Sequence, residues 1–112
     1  MRRPFLRDLA FGIALVATAA PAEALEPVTG ATTVERVRIV DFRFRPRSLT
    51  IDRGTVVRWK NRGTLNHTST SDVWDSGTLS PGETFQRRFR RRGPFDYFCD
   101  IHSSMTATIT VV

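Results

Sequence analysis

From Val34 onward, apolar and polar residues alternate with a period of two, and no stretch carries a helical period. Val37 and Ile39 point one way and Arg36 and Arg38 the other. Phe42 and Phe44 then alternate with Asp41 and Arg43. The apolar phase shifts between Ile39 and Phe42, which predicts a bulge or a strand crossing between sheets. Pro46 stops this element, and Leu49 to Ile51 form a short strand closed by the Asp52-Arg53-Gly54 turn. Thr55 to Asn61 alternates cleanly, with Val57 and Trp59 inward and Arg58 and Lys60 outward, and Asn61-Arg62-Gly63 ends it. Beyond Ser80-Pro81-Gly82 a strand covers Thr84 to Phe89. Arg87 falls in its inward phase between Phe85 and Phe89, where a sheet edge would let it snorkel outward. After Gly93-Pro94, Phe95, Tyr97 and Cys99 share one face. The last strand turns Ala107, Ile109 and Val111 inward. About seven to eight short strands, with turns every 8–12 residues or so, predict an all-β fold, an antiparallel Greek-key β-sandwich.

The first residues follow a different pattern. Arg2, Arg3 and Arg7 precede an apolar run from Leu9 to Ala20. As a helix that run is about 18 Å long, too short for a hydrocarbon core of about 30 Å. It reads as the signal peptide of an exported protein, residues 1–24, ending in small residues with cleavage after Ala24 or, alternatively, after Ala22. Arg2-Arg3-Pro4-Phe5-Leu6-Arg7 also resembles the twin-arginine export pattern. Residues 25–112 then form one domain outside the cytoplasmic membrane, in the periplasm, with no stable membrane insertion once the leader is gone.

Composition adds two constraints. Hydrophobic residues at 40% and charged residues at 25% exclude wholesale disorder, and a single cysteine, Cys99, excludes a disulfide scaffold. The formal net charge is +6, yet Lys60 is the only lysine. Five of the arginines fall in Arg87-Arg88-Phe89-Arg90-Arg91-Arg92, at the end of the domain away from the Cys99 segment. The run reads as a solvated hairpin or as long-range steering toward an acidic partner protein or an anionic membrane surface. An exported chain without a nucleic-acid-binding motif excludes nucleic acid as its target.

The chemistry concentrates in Cys99-Asp100-Ile101-His102-Ser103-Ser104-Met105, which spaces a thiol, an imidazole and a thioether three residues apart. A lone cysteine in an exported protein cannot close an internal disulfide, and a metal bond would keep its sulfur as a buried thiolate. The only other histidine is His67, in the loop after the Trp59 strand. Two His, one Cys and a weak axial Met make the ligand set of a mononuclear type 1 (blue) copper centre. Thiolate and thioether suit Cu(I), and imidazole suits both oxidation states.

The chain also resembles the cupredoxins, and within them the short-loop, amicyanin- and plastocyanin-like members. The likeness runs through Phe42 to Pro46, Leu49-Thr50-Ile51, Gly54 to Asn61, His67, Asp75-Ser76-Gly77, Pro81-Gly82-Glu83, Gly93 and Tyr97 to Met105. It implies that His67, Cys99 and His102 bind one copper ion in a trigonal plane, with Met105 as the long axial ligand and His102 as the electron port. It further implies an electron carrier, not an enzyme, acting as a monomer between redox proteins. By analogy these are a dehydrogenase or a c-type cytochrome, an acidic surface being favoured. The alternative is a carrier or storage protein that hands over the metal instead of the electron. Thr68 stands where the family usually has Asn. That substitution keeps the backbone donor to the cysteine sulfur and puts the side-chain brace in question. Ser103 in place of the usual Pro implies a more polar rim.

Overall fold

The computed structural model describes residues 32–112, so the expected leader and residues 25–31 lie outside the described residues. Seven strands follow one another: β1 (Val34–Val40), β2 (Arg43–Arg45), β3 (Ser48–Ile51), β4 (Val56–Asn61), β5 (Thr84–Arg88), β6 (Gly93–Phe98) and β7 (Thr106–Val111). They build two sheets, one ordered β2-β1-β4-β5 and the other β3-β7-β6. No helix occurs among the described residues.

The inward positions expected from the alternation form the core. Val37, Ile39, Val57, Trp59, Tyr97, Ala107, Ile109 and Val111 are all buried. Trp59 lies at its centre, with ring centroids 5.6 Å from Phe85, 5.7 Å from Trp74 and 5.6 Å from Tyr97. Burial in this cluster pushes the Tyr97 phenol well above its ordinary range. Arg87 sits on the edge strand β5 as its phase required. Its guanidinium does more than escape to water, stacking 4.8 Å from the centroid of Phe89 and 5.2 Å from that of Trp74.

Two expectations need correction. The sandwich is mixed, not purely antiparallel, because β1 runs parallel to β4 and β3 parallel to β7. The phase shift between Ile39 and Phe42 is also neither a bulge nor a crossing. The chain reverses there in a tight hairpin whose register pairs Val40 with Arg43 and Ile39 with Phe44. A hairpin with two connecting residues resets the inward phase just as a bulge would, and the pattern alone does not tell them apart. The reversal leaves Phe42 exposed at the tip while Phe44 is buried.

The C-terminal ends of β1, β4 and β6 lead into the segments that carry Asp41, His67 and Cys99 respectively. Two backbone hydrogen bonds of 2.9 Å between Thr70 and Phe98 tie the loop after His67 to the end of β6. All the chemically distinctive residues therefore gather at one end of the sandwich. The Arg90–Arg92 run lies beyond Phe89, which bonds to Gly54 and Thr55 at the opposite end of β4.

Candidate metal centre

His67 lies in the long connection between β4 and β5 and is fully buried. Its backbone pairs with Leu79 through hydrogen bonds of 3.1 and 2.8 Å, which makes this part of the loop a short β-bridge. Asn61, at the end of β4, is also fully buried and fixes the segment leading to His67. Its Nδ2 donates to the carbonyls of Leu65 and Leu79, both at 2.8 Å, and its Oδ1 accepts from Gly63 N at 2.9 Å. Gly63 is required here for space, because a Cβ at this position would collide with the Asp41 carboxylate.

Asp41 comes from the β1–β2 hairpin and closes over the same loop. Its Oδ1 accepts from His67 Nε2 at 2.7 Å and its Oδ2 from the Thr64 hydroxyl at 2.6 Å and Thr64 N at 3.0 Å. The Thr64 hydroxyl first, then the His67 imidazole, then the Thr64 and Leu65 N–H groups hold the Asp41 carboxyl well below the usual carboxylate range. An ionised carboxylate only accepts, so a proton sits on His67 Nε2; in the neutral imidazole this leaves Nδ1 as the acceptor atom.

Cys99 follows β6 and is fully buried. The seven-residue segment it opens is cinched at its base: Met105 N donates to His102 O at 2.9 Å, and Cys99 N donates to Met105 O at 3.0 Å. These bonds turn the chain sharply enough to bring His102 back toward Cys99. His102 remains half-buried, with the exposed Phe42 ring edge-on at a centroid distance of 5.2 Å.

Three of the four candidate ligand residues converge at their donor atoms. Cys99 Sγ lies 3.7 Å from His67 Nδ1 and 3.7 Å from His102 Nδ1, and the two Nδ1 atoms are 3.2 Å apart. A point in the plane of this triangle lies about 2 Å from every corner, within the roughly 2.0–2.3 Å that nitrogen and sulfur donors keep from a first-row metal ion. Met105 is buried immediately after, at the base of the same loop. Two imidazoles, a thiolate and a thioether suit copper better than a hard oxygen-seeking cation, so donor chemistry and spacing both fit that ion.

Thr68 contributes more than its type suggested. Its backbone N–H points at Cys99 Sγ at 3.4 Å, as expected, and its hydroxyl accepts from Asp100 N at 2.7 Å. The side chain thus bridges the His67 and Cys99 segments, and the brace thought to be in question is present. Asp41 and Asn61 are the residues that sequence reasoning missed. Asp41 was hidden by the misread reversal, and Asn61 passed for a strand terminator. A buried-phase Asn six residues before a candidate ligand was the available signal.

The match to known proteins agrees with this geometry. Residues 8–111 fit the model of the cupredoxin-like domain. Amicyanin-alpha of Methylorubrum extorquens is 28% identical over 121 residues, a span covering 95% of this chain and 99% of that protein. Plastocyanin of Scenedesmus fuscus is 32% identical over 83 residues, covering 61% of this chain and 85% of the other. A purple cupredoxin from Nitrosopumilus maritimus shares the fold, with a TM-score of 0.66 at 24% identity over 69% of this chain and 98% of its own. The chain belongs to the cupredoxin-like family.

Proposed function

We propose that the protein is an exported type 1 copper protein that carries single electrons between larger redox proteins and catalyses no reaction of its own. The observation that carries this reading is the convergence of His67 Nδ1, Cys99 Sγ and His102 Nδ1 on one point. On this reading those three residues hold one copper ion, with Met105 as a weak fourth ligand. The bound ion supplies the one-electron Cu(II)/Cu(I) couple.

The chain's own residues prepare that chemistry. Asp41 fixes the tautomer and orientation of His67, and the Thr68 N–H stabilises negative charge on the Cys99 sulfur. The backbone bonds at Met105 hold His102 without reference to the ion, so its position need not change when charge does. Burial of Cys99 and His67 excludes water and oxidants from the sulfur. Half-exposed His102, beside Phe42, is the route by which a partner comes close enough to exchange an electron. Residues 1–24 would act as the export leader and residues 25–112 as the periplasmic domain. Its partners would be redox proteins, a dehydrogenase or a c-type cytochrome, with acidic surfaces favoured.

A metal carrier or storage protein would bind the same ion but release it. The Asp41, Asn61 and Thr68 braces favour retention, since they hold the donors in place from outside the donor set. The test is to load the apoprotein with Cu(II) and cycle it between ascorbate and ferricyanide in the presence of a Cu(I) chelator. Intense blue thiolate-to-copper absorption that returns undiminished with each oxidation is the expected result. Transfer of the metal to the chelator on first reduction would overturn it in favour of the carrier. Cys99→Ser should abolish the intense band; a variant that colours like the parent would remove Cys99 from the site.

A further inference from the structure

The outer face of the β2-β1-β4-β5 sheet carries cations where neighbouring strands set them side by side. Arg36 on β1 is opposite Arg58 on β4, and Arg38 lies between Lys60 on β4 and Arg45 on β2. Adjacent strands are only about 4.8 Å apart, and like charges directly opposite one another weaken the pairing. Nothing among the described residues relieves this. Among the described residues no Lys or Arg pairs with a carboxylate, the one imidazole–carboxylate contact being His67 to Asp41, and the Arg58 Nε donates to the neutral amide of Gln86 at 3.0 Å. These cations, with Arg43, line an open groove of about 1130 Å³ whose walls carry no acidic residue among the described residues.

The groove also has a definite position. Arg43 follows Phe42, whose ring meets His102, and pairs with Val40 at the end of β1. Arg36 lies four residues back along the same strand, about 13 Å away at ~3.3 Å per residue. The cationic face therefore begins at the electron port and runs down the sheet from it. The Arg87–Arg92 run differs on both counts: Arg87 is spent on Trp74 and Phe89, Arg88 donates to Gly54 O, and the rest lies at the far end.

We infer that this sheet face is the docking surface for an acidic protein partner, aligning that partner's redox centre with His102. The inference rests on the electron-carrier reading above and locates its partner site. A concave cationic groove continuous with exposed apolar residues at the port, Phe42 and Ile101, suits a protein with an apolar contact spot and an acidic flank. An anionic membrane would engage the charge without any need for the groove to meet the port.

Arg38→Glu tests the inference, because it places a carboxylate between Arg45 and Lys60 and so relieves repulsion in the fold while spoiling the surface. Copper-loaded protein would be mixed with an acidic c-type cytochrome at low salt, with Arg91→Glu at the far end as control. Arg38→Glu should slow the second-order electron exchange about tenfold and flatten its salt dependence, with melting temperature equal to or above the parent's. Compared at about 0.1 M ionic strength, where the Debye length is ~10 Å, Arg91→Glu should leave the rate within about twofold while Arg38→Glu still slows it. In parallel, amide shifts of the reduced protein titrated with the same cytochrome should move at Arg36, Arg38, Arg43 and Lys60 as well as around His102. Equal slowing by the two variants, or shifts confined to the ligand loops, would overturn the docking face. So would sedimentation of the parent with phosphatidylglycerol vesicles that Arg38→Glu abolishes while leaving the cytochrome rate intact. Failure of the underlying carrier reading appears separately, as a parent protein with no blue absorption and no electron exchange with either a basic or an acidic cytochrome.

Discussion

His67 and His102 bring the same ring nitrogen to within 3.2 Å of each other by opposite means. His67 is fully buried and is held at both ends, its backbone in a β-bridge to Leu79 and its Nε2 on the Asp41 carboxylate. His102 has no partner on its outer nitrogen among the described residues. It is held by the backbone closure at Met105, and its ring reaches the surface beside Phe42. One histidine is thus part of the scaffold, and the other is a candidate ligand left at the surface beside Phe42. The difference teaches that a rigid donor set does not need every donor locked individually. It needs one fixed corner and one short, cinched loop.

The largest expected effect separates the two directly. His67→Gly and His102→Gly each delete a donor, but only the second opens the gap to solvent. Added imidazole should therefore restore the blue absorption of the copper-loaded His102→Gly protein and fail to restore it in His67→Gly. Equal rescue of both would mean that the His67 corner opens readily and that its burial is not a functional distinction. Next in size is Asn61→Ala, which strips partners from the Leu65 and Leu79 carbonyls and the Gly63 N–H at once. Loss of these bonds should lower unfolding free energy by about 3 kcal/mol and weaken copper uptake through the His67 corner. An exposed control, Ser103→Ala, should change urea stability by less than about 0.5 kcal/mol. If Asn61→Ala behaves like that control, the fixed corner does not depend on Asn61.

Much of this is legible in the sequence, for physical reasons. Alternation marks which face of a strand is wet, so Val57, Trp59, Tyr97 and Ile109 announced the core. The spacing of Cys99, His102 and Met105 is local, so a single turn of chain decides their proximity. What stayed hidden depends on contacts across the fold. Asp41 lies 26 residues from His67 in sequence, and only the β1–β2 hairpin brings them together. The parallel pairing of β1 with β4 is likewise a property of the whole topology, and it sets Arg36 beside Arg58 and Arg38 beside Lys60. The arginine cluster that stands out in sequence, Arg87–Arg92, is for the same reason not the one that begins beside Phe42 and His102.

Asp41→Asn sharpens the contrast between the histidines at smaller cost to the fold. The amide keeps a carbonyl oxygen for His67 Nε2 but removes the charge and turns its NH2 toward Thr64, where the hydroxyl can accept and the N–H loses its acceptor; His67 stays oriented and becomes a poorer donor. Affinity for Cu(II) should fall about 10–100-fold. The reduction potential should rise, because less negative charge beside the ion favours Cu(I). An unchanged potential with normal copper uptake would reduce Asp41 to a hairpin anchor for Thr64 and Leu65.

The smallest effect is expected at Thr68, where the two histidine segments are joined. Thr68→Ala removes the hydroxyl that accepts from Asp100 N and contacts Thr70 Oγ1 at 2.8 Å, yet leaves the backbone N–H on the Cys99 sulfur. If the hydroxyl acts only as a strut between segments, stability should drop by about 1 kcal/mol while the position of the blue band stays where the parent has it. Imidazole should also exchange more readily at the His102 corner, because the loop that carries it has lost its tie to the fixed one. A displaced band would mean that the strut also sets the sulfur's distance from the two nitrogens. The fixed corner would then extend across Thr68 into the Cys99 segment, and His102 alone would remain adjustable.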